Sequence, residues 1–108
     1  MELVRAIYEG TQGFPKQGAY GLTSQIRRAA VSIPSNIAEG QSRHSQKEFL
    51  HFLSTSRGSL AEVETQLMIA QMLGYLDAAA ANRNLEMTAE VGRMLNGLYD
   101  SIRARVEK

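Results

Sequence analysis

Cysteine is absent from this chain of 108 residues. That removes disulfides, thiolate metal ligation and cysteine catalysis together. It also suits a reducing compartment, so a cytoplasmic location is expected. Proline is scarce, with two in the whole chain, and aromatics make up 6%. Both figures argue against a proline-rich linker and against an aromatic stacking platform for single-stranded nucleic acid. No apolar run approaches the roughly 20 residues that a membrane helix requires, so no membrane partner is expected. The opening MELVRAIYEG has no basic region ahead of an apolar block and does not read as a secretory signal. No stretch alternates apolar and polar residues as a strand would, and no hairpin signal joins two such stretches. Neither G-x-G-x-x-G nor G-x-x-x-x-G-K-[ST] occurs, so no phosphate loop is present. Net charge is +1, which gives no strong pull toward nucleic acid or membrane.

What is there is helical. With 44% hydrophobic and 21% charged residues the composition is that of an ordinary globular protein, and the length suits one domain over 1–108 with a modest core. A first, short helix is expected over about 2–11, ended by Gly13-Phe14-Pro15, with a loop over 17–21. A second covers about 22–39. Leu22, Ala29 and Asn36 repeat there every seven residues, as do Ile26, Ile33 and Gly40, which makes a heptad seam. Pro34 lies inside that pattern, where it removes a helical hydrogen bond and clashes with the preceding turn, at about 3 kcal/mol unless packing compensates. Asn36 either fixes register on the seam or rotates to its edge and bonds a backbone group freed by Pro34. Gly40 is placed to end the helix as its C′ residue.

Ser45-Gln46-Lys47-Glu48 carries the capping-box pattern for a third helix. Phe49, Leu53, Ser56, Leu60, Val63, Leu67 and Ala70 then step by four and three, the best periodic signal in the chain. If unbroken to Leu73 this helix is about 42 Å long, and Gly74 closes it. Ser56, Gly58 and Ser59 are small enough to let another helix come close. Between Leu67 and Leu73 the helix is apolar almost all round and calls for cover on every side. A fourth helix is expected from an Asp77 N-cap, with Met87, Val91, Met94/Leu95, Leu98 and Ile102 as its apolar face and Arg103, Arg105 and Lys108 at its end. Short connections between long helices favour antiparallel neighbours, hence an all-α, antiparallel up-and-down four-helix bundle.

Chemistry is harder to find. His44, Glu48 and His51 share a helix face, and Glu48-x-x-His51 matches half of a di-iron bundle site, but no second unit follows. A solvated face beside a helix start is the simpler reading. Two histidines within one basic turn make no triad with an obvious acid, and Glu62 and Glu64, two apart on a helix, point apart. No enzyme activity, metal or cofactor is expected. Residues 41–60 hold three cations against one carboxylate, the one distinctly basic window. In an up-down bundle the start of the third helix and the end of the fourth share one end. That end gathers Arg43, His44, Lys47, Arg103, Arg105 and Lys108, diluted by Glu39, Glu48 and Glu107. It is either a solvated mixed-charge rim or, repeated around an oligomer, a phosphate-binding surface. Arg27 and Arg28 read as ion-pair partners of Glu62 or Glu64, or as a phosphate contact.

The stretch LTSQIRRAAVSIPSNIAEG over 22–40, with Ser42, Arg43, Glu48, Phe49, Phe52 and Leu53 after it, resembles the bacterial four-helix-bundle proteins encoded in intervening sequences of 23S rRNA genes. GSLAEVETQL over 58–67 and MLNGLYDSI over 94–102 are similar to the same family. The resemblance implies an antiparallel bundle that assembles into a ring-shaped homo-oligomer, a pentamer above all. A related protein, the accessory variability protein of diversity-generating retroelements, is a basic pentamer that associates with reverse transcriptase and nucleic acid. Members carry a longer first helix, so Met1 falls where that helix is already under way and implies a truncated start. For the rRNA-linked members no biochemical activity is established. Taken together, the expected function is non-enzymatic: an oligomeric bundle that binds RNA, or a nucleic acid–protein complex, through Arg43, Lys47, Arg103 and Arg105. The competing reading is a protein-interaction scaffold with no nucleic-acid role, supported by excess apolar surface around Met68, Met72 and Met94.

Overall fold

Two side chains start the two longest helices. The Ser45 hydroxyl accepts from the Glu48 backbone N–H at 3.0 Å, and the Asp77 carboxylate accepts from that of Ala80 at 2.8 Å. Each satisfies an amide that the first turn leaves without a partner. They cap α3 (Gln46–Met72) and α4 (Ala78–Val106), both at the expected residues. Ahead of them come α1 (Glu2–Gly10) and α2 (Leu22–Gln41). The computed structural model describes residues 1–15 and 21–107, and among these there are four helices and no strand. The loop expected over 17–21 lies outside the described residues except for Gly21, the N-cap position of α2.

Gly74 ends α3 as expected. Its φ of +80° opens the left-handed region. There its N–H reaches the Gln71 carbonyl at 3.0 Å while that of Tyr75 reaches Ala70 at 2.9 Å, the paired bonds of a Schellman motif. Gly40 behaves differently from the expectation. The helix runs through it to Gln41, and its backbone is helical. Its small size is needed for space: a Cβ at this position would lie 2.8 Å from Phe49 Cδ1 and 2.9 Å from Phe52 Cβ.

The helices form a bundle in which α1 and α3 each pack against both α2 and α4. Leu3 and Ile7 of α1, Ile26, Ala29, Ala30 and Ile33 of α2, and Leu53, Leu60, Val63, Leu67 and Ala70 of α3 are buried together. This is the seam read from the heptads of α2 and α3. On α4 the seam is shifted. Ala81, Asn84, Thr88, Leu95 and Ile102 are buried, Met87 and Val91 are half-buried, and Met94 is exposed. Two polar residues thus occupy seam positions, each satisfied within its own helix. Asn84 donates to the Ala80 carbonyl at 3.0 Å and the Thr88 hydroxyl to that of Leu85 at 2.7 Å.

The α2–α3 contact is polar at its centre. The Ser56 hydroxyl donates to the Ile33 carbonyl at 2.9 Å, and the Ser32 and Ser59 hydroxyls bond each other at 2.9 Å. Asn36, half-buried, donates to the Ser32 carbonyl at 2.8 Å and to its hydroxyl at 2.9 Å. It therefore tightens this ladder from its own helix. The carbonyl that Pro34 deprives of a donor is that of Ala30, four residues back, and Asn36 does not serve it. Of the three small residues of α3, Ser56 and Ser59 take the close approach of α2, whereas Gly58 faces open space.

Candidate nucleic-acid interface

The α2–α3 turn is short because Ser42 closes α2 and Ser45 opens α3 within four residues. It therefore stays beside the last turns of α4. Gly40, Gln41, Arg43, His44, Ser45, Gln46 and Phe49 line a cleft of about 220 Å³ with Ile102 and Arg105. Arg43 also borders a wider, open cleft with Ser45, Lys47, Glu48, His51 and Phe52. Three of the four expected rim residues, Arg43, Lys47 and Arg105, are thus gathered around one turn. Arg43 is the hinge between the two clefts. It pairs with Glu39 one turn back on α2 and lies 5.1 Å over the Phe52 ring. Both partners of the ion pair are about half exposed, so the pair leaves most of the Arg43 charge available to a ligand.

Arg103 stands apart. It lies 3.5 Å from Asp100 and 4.0 Å from Glu107, and 5.8 Å from the Tyr99 ring centre. Arg57 of α3 covers the same tyrosine at 4.5 Å. Arg103 therefore belongs to an Arg57–Tyr99–Arg103 cluster across the α3–α4 groove and borders neither cleft. Sequence reasoning missed this cluster, because nothing in a single sequence pairs residue 57 with residue 99. Lys108 lies outside the described residues. His44 borders one cleft while Glu48 and His51 border the other. Among the described residues no three histidine, aspartate or glutamate side chains converge as metal ligands.

The two α2 arginines part company. Arg27 leaves the carboxylates of α3 alone and fastens the end of α1. Its Nε donates to the Thr11 hydroxyl at 2.9 Å and its Nη2 to the Tyr8 carbonyl at 3.2 Å, with the guanidinium 4.6 Å over the Tyr8 ring. The expected ion pair is replaced by this clamp, since Arg27 lies beside the end of the short α1. Arg28 does face Glu62. Both line a cleft of about 230 Å³ between α2 and α3, with Gln25, Ala29, Ser32, Ser59 and Gln66, yet they do not close to ion-pair distance. Gln66 is a polar residue at a buried α3 position, a signal readable in the sequence and passed over there.

Met68, Ile69, Met72 and Leu73 share one exposed face at the end of α3, with Met72 77% exposed. Met94, also exposed, lies elsewhere, in a cleft with Met1, Leu3, Met87 and Val91 that Glu2 and Glu90 also line. No helix is long and apolar enough to cross a membrane among the described residues. No curated protein matches the chain. The family model described as 23S rRNA-intervening sequence protein matches residues 1–97, a span that takes in the α2 motif, the basic turn and all of α3. The chain belongs to the 23S rRNA-intervening sequence protein family.

Proposed function

We propose that this protein is a non-enzymatic, antiparallel helical bundle that assembles into a ring, with five copies favoured, and binds RNA through its basic rim. The inverse register of neighbours supports the antiparallel arrangement. Gly40 lies against Phe49 and Phe52, Ile33 against Ser56 and Ser32 against Ser59. The observation that carries the RNA reading is the meeting of Arg43, Lys47 and Arg105 around the α2–α3 turn. One copy offers few cations, and a ring repeats them. Affinity for a phosphate backbone rises steeply with the number of such contacts at low salt. Arg103 contributes from the neighbouring groove. A cytoplasmic protein with no metal or cofactor requirement fits this role.

The test is retention of a structured RNA at low salt, by the wild type and by a variant with Arg43, Lys47, Arg103 and Arg105 changed to glutamate. Loss of binding in the variant is the expected result. Equal retention by both removes the reading. A second reading is favoured by the exposed Met68, Ile69, Met72 and Leu73: the bundle serves as a scaffold for a protein partner and needs no nucleic acid. A complex with a protein other than this chain, surviving nuclease and high salt, distinguishes it.

A further inference from the structure

At the α2–α3 turn the Arg43 guanidinium lies over the Phe52 ring, 5.1 Å from its centre. Phe52 is half-buried, with its Cβ seated against Gly40, so its ring is a fixed floor. The His51 ring stands beside it, 5.6 Å between centres and inclined at 73°. Arg43 Nη2 donates to the Glu39 carboxylate, which holds the guanidinium from one edge. A guanidinium is planar, with five N–H donors and two faces. Glu39 takes one edge and Phe52 one face. The Arg43 side chain is still 43% exposed. Its outer face and remaining donors border the open cleft that the exposed Lys47, Glu48 and His51 also line.

Within a nucleic acid, an unpaired base is the group with a flat face to match. In a duplex the base faces are hidden in the stack, and phosphates, sugars and groove edges are what a protein meets. A carboxylate would take the free donors and leave the face of Arg43 bare. We propose that the cleft at the α2–α3 turn stacks an unpaired nucleotide of single-stranded RNA on Arg43, with Phe52 behind it. The base lies on the outer face of the guanidinium, and its phosphate takes the remaining Arg43 donors and the Lys47 ammonium. Arginine planes serve as stacking surfaces for splayed bases as aromatic rings do. A chain with 6% aromatics can therefore build one from an arginine and a single ring. Every base has such a face, so the site selects strandedness and not sequence. The cleft, about 620 Å³, admits a base with its phosphate. Glu48 in the lining offsets one of its two cations, so each stack is weak alone and gains from repetition around a ring. This deepens the RNA reading and rests on it: charge draws the strand in, and the stack requires it to be single.

Fluorescence anisotropy at low salt tests it with three labelled RNAs of one length: a uridine dodecamer, a dodecamer of abasic ribose phosphates, and a blunt duplex. The abasic strand keeps the phosphates and lacks every base face, so it reads charge alone. The expected result is about tenfold tighter binding of the uridine strand than of the abasic one, a difference of about 1.4 kcal/mol, in line with the worth of one stacked base. The uridine strand should also bind more tightly than the duplex, whose higher charge density would win if charge alone decided. Arg43→Lys keeps the charge and removes the plane. It should bring the uridine strand down to the abasic one and leave the abasic affinity unmoved, whereas a general loss of structure would lower both. Lys47→Gln should weaken all three ligands alike. Uridine and abasic strands bound equally, or a preference that survives Arg43→Lys, overturn the stack and leave the rim reading standing. A preference that persists while Lys47, Arg103 and Arg105 changed together to glutamate move no affinity does the reverse. A deoxyuridine dodecamer bound more tightly than the uridine one overturns RNA as the source of the strand.

Discussion

A glycine in a helix usually weakens it, by about 1 kcal/mol against alanine. Two glycines here separate that cost from a packing need. At Gly40 a methyl group would meet Phe49 and Phe52 closer than 3.0 Å, and one of the two contacts is to a Cβ that cannot swing away. Gly40→Ala should therefore lower stability by about 1–3 kcal/mol, the usual range for overpacking. At Gly58 nothing lies within 4 Å, and Gly58→Ala should be neutral or stabilising by up to about 1 kcal/mol. Denaturant midpoints of the two variants decide it, and the opposite order would show that the Gly40 contact relaxes freely. That glycine was visible in the sequence as a heptad position, yet its role was not. A C′ glycine and a close-packed glycine look the same until the neighbouring phenylalanines are placed. The two arginines show the same limit. Arg27 and Arg28 are adjacent letters, but a rotation of 100° along the helix sends one to the α1 clamp and the other to the α3 cleft.

Helix boundaries were legible because capping chemistry is local. Ser45 and Asp77 announce the starts of α3 and α4, and Gly74 announces the end of α3, through groups within three residues of each other. Ser45→Ala and Asp77→Ala should each cost about 1 kcal/mol. Standing at opposite ends of α3, about 40 Å apart, the two losses should add to within about 0.5 kcal/mol in the double variant. Equilibrium unfolding measures both, and a marked shortfall would mean that the caps share a partner. Seams were legible where apolar residues carry the period. On α3 that holds from Leu53 to Ala70, although Ser56, Ser59 and Gln66 are buried on it too. On α4 it fails, because Asn84 and Thr88 sit on the seam and satisfy themselves within the helix. Counting apolar letters then draws the stripe toward Met87 and Met94, each one residue before a buried position and so about 100° around the helix. The Pro34 region was legible as a place of tight packing, but the bonds that fasten it to its neighbour come from Ser56 and Ser59 of another element. No pattern within α2 reveals that.

At the scale of the molecule the four helices are unequal. Nine residues of α1, about 13 Å, stand beside the 29 residues of α4, about 43 Å. The bundle buries one seam and leaves Met68, Ile69, Met72 and Leu73 bare at the end of α3. These four side chains follow i, i+1, i+4 and i+5, so they form a single patch and not scattered exposure. Covering a half-exposed large apolar side chain returns roughly 1 kcal/mol or more, and four of them repeated around a closed ring give each copy two such contacts. Ring closure also multiplies the rim, so assembly and RNA affinity are coupled in this reading. Light scattering of the wild type is expected to give a multiple of the 11.9 kDa chain mass. Changing Met68 and Met72 together to glutamate should yield a monomer with unchanged helix content. Because that variant keeps Arg43, Lys47, Arg103 and Arg105, it isolates the effect of assembly. Its affinity for RNA should fall, and the slope of log affinity against log salt should shrink toward that of one rim, since the slope counts the phosphates neutralised. A wild type that scatters as a monomer removes the ring. A monomeric variant that keeps the full salt slope removes the coupling and leaves a single rim as the whole RNA-binding surface.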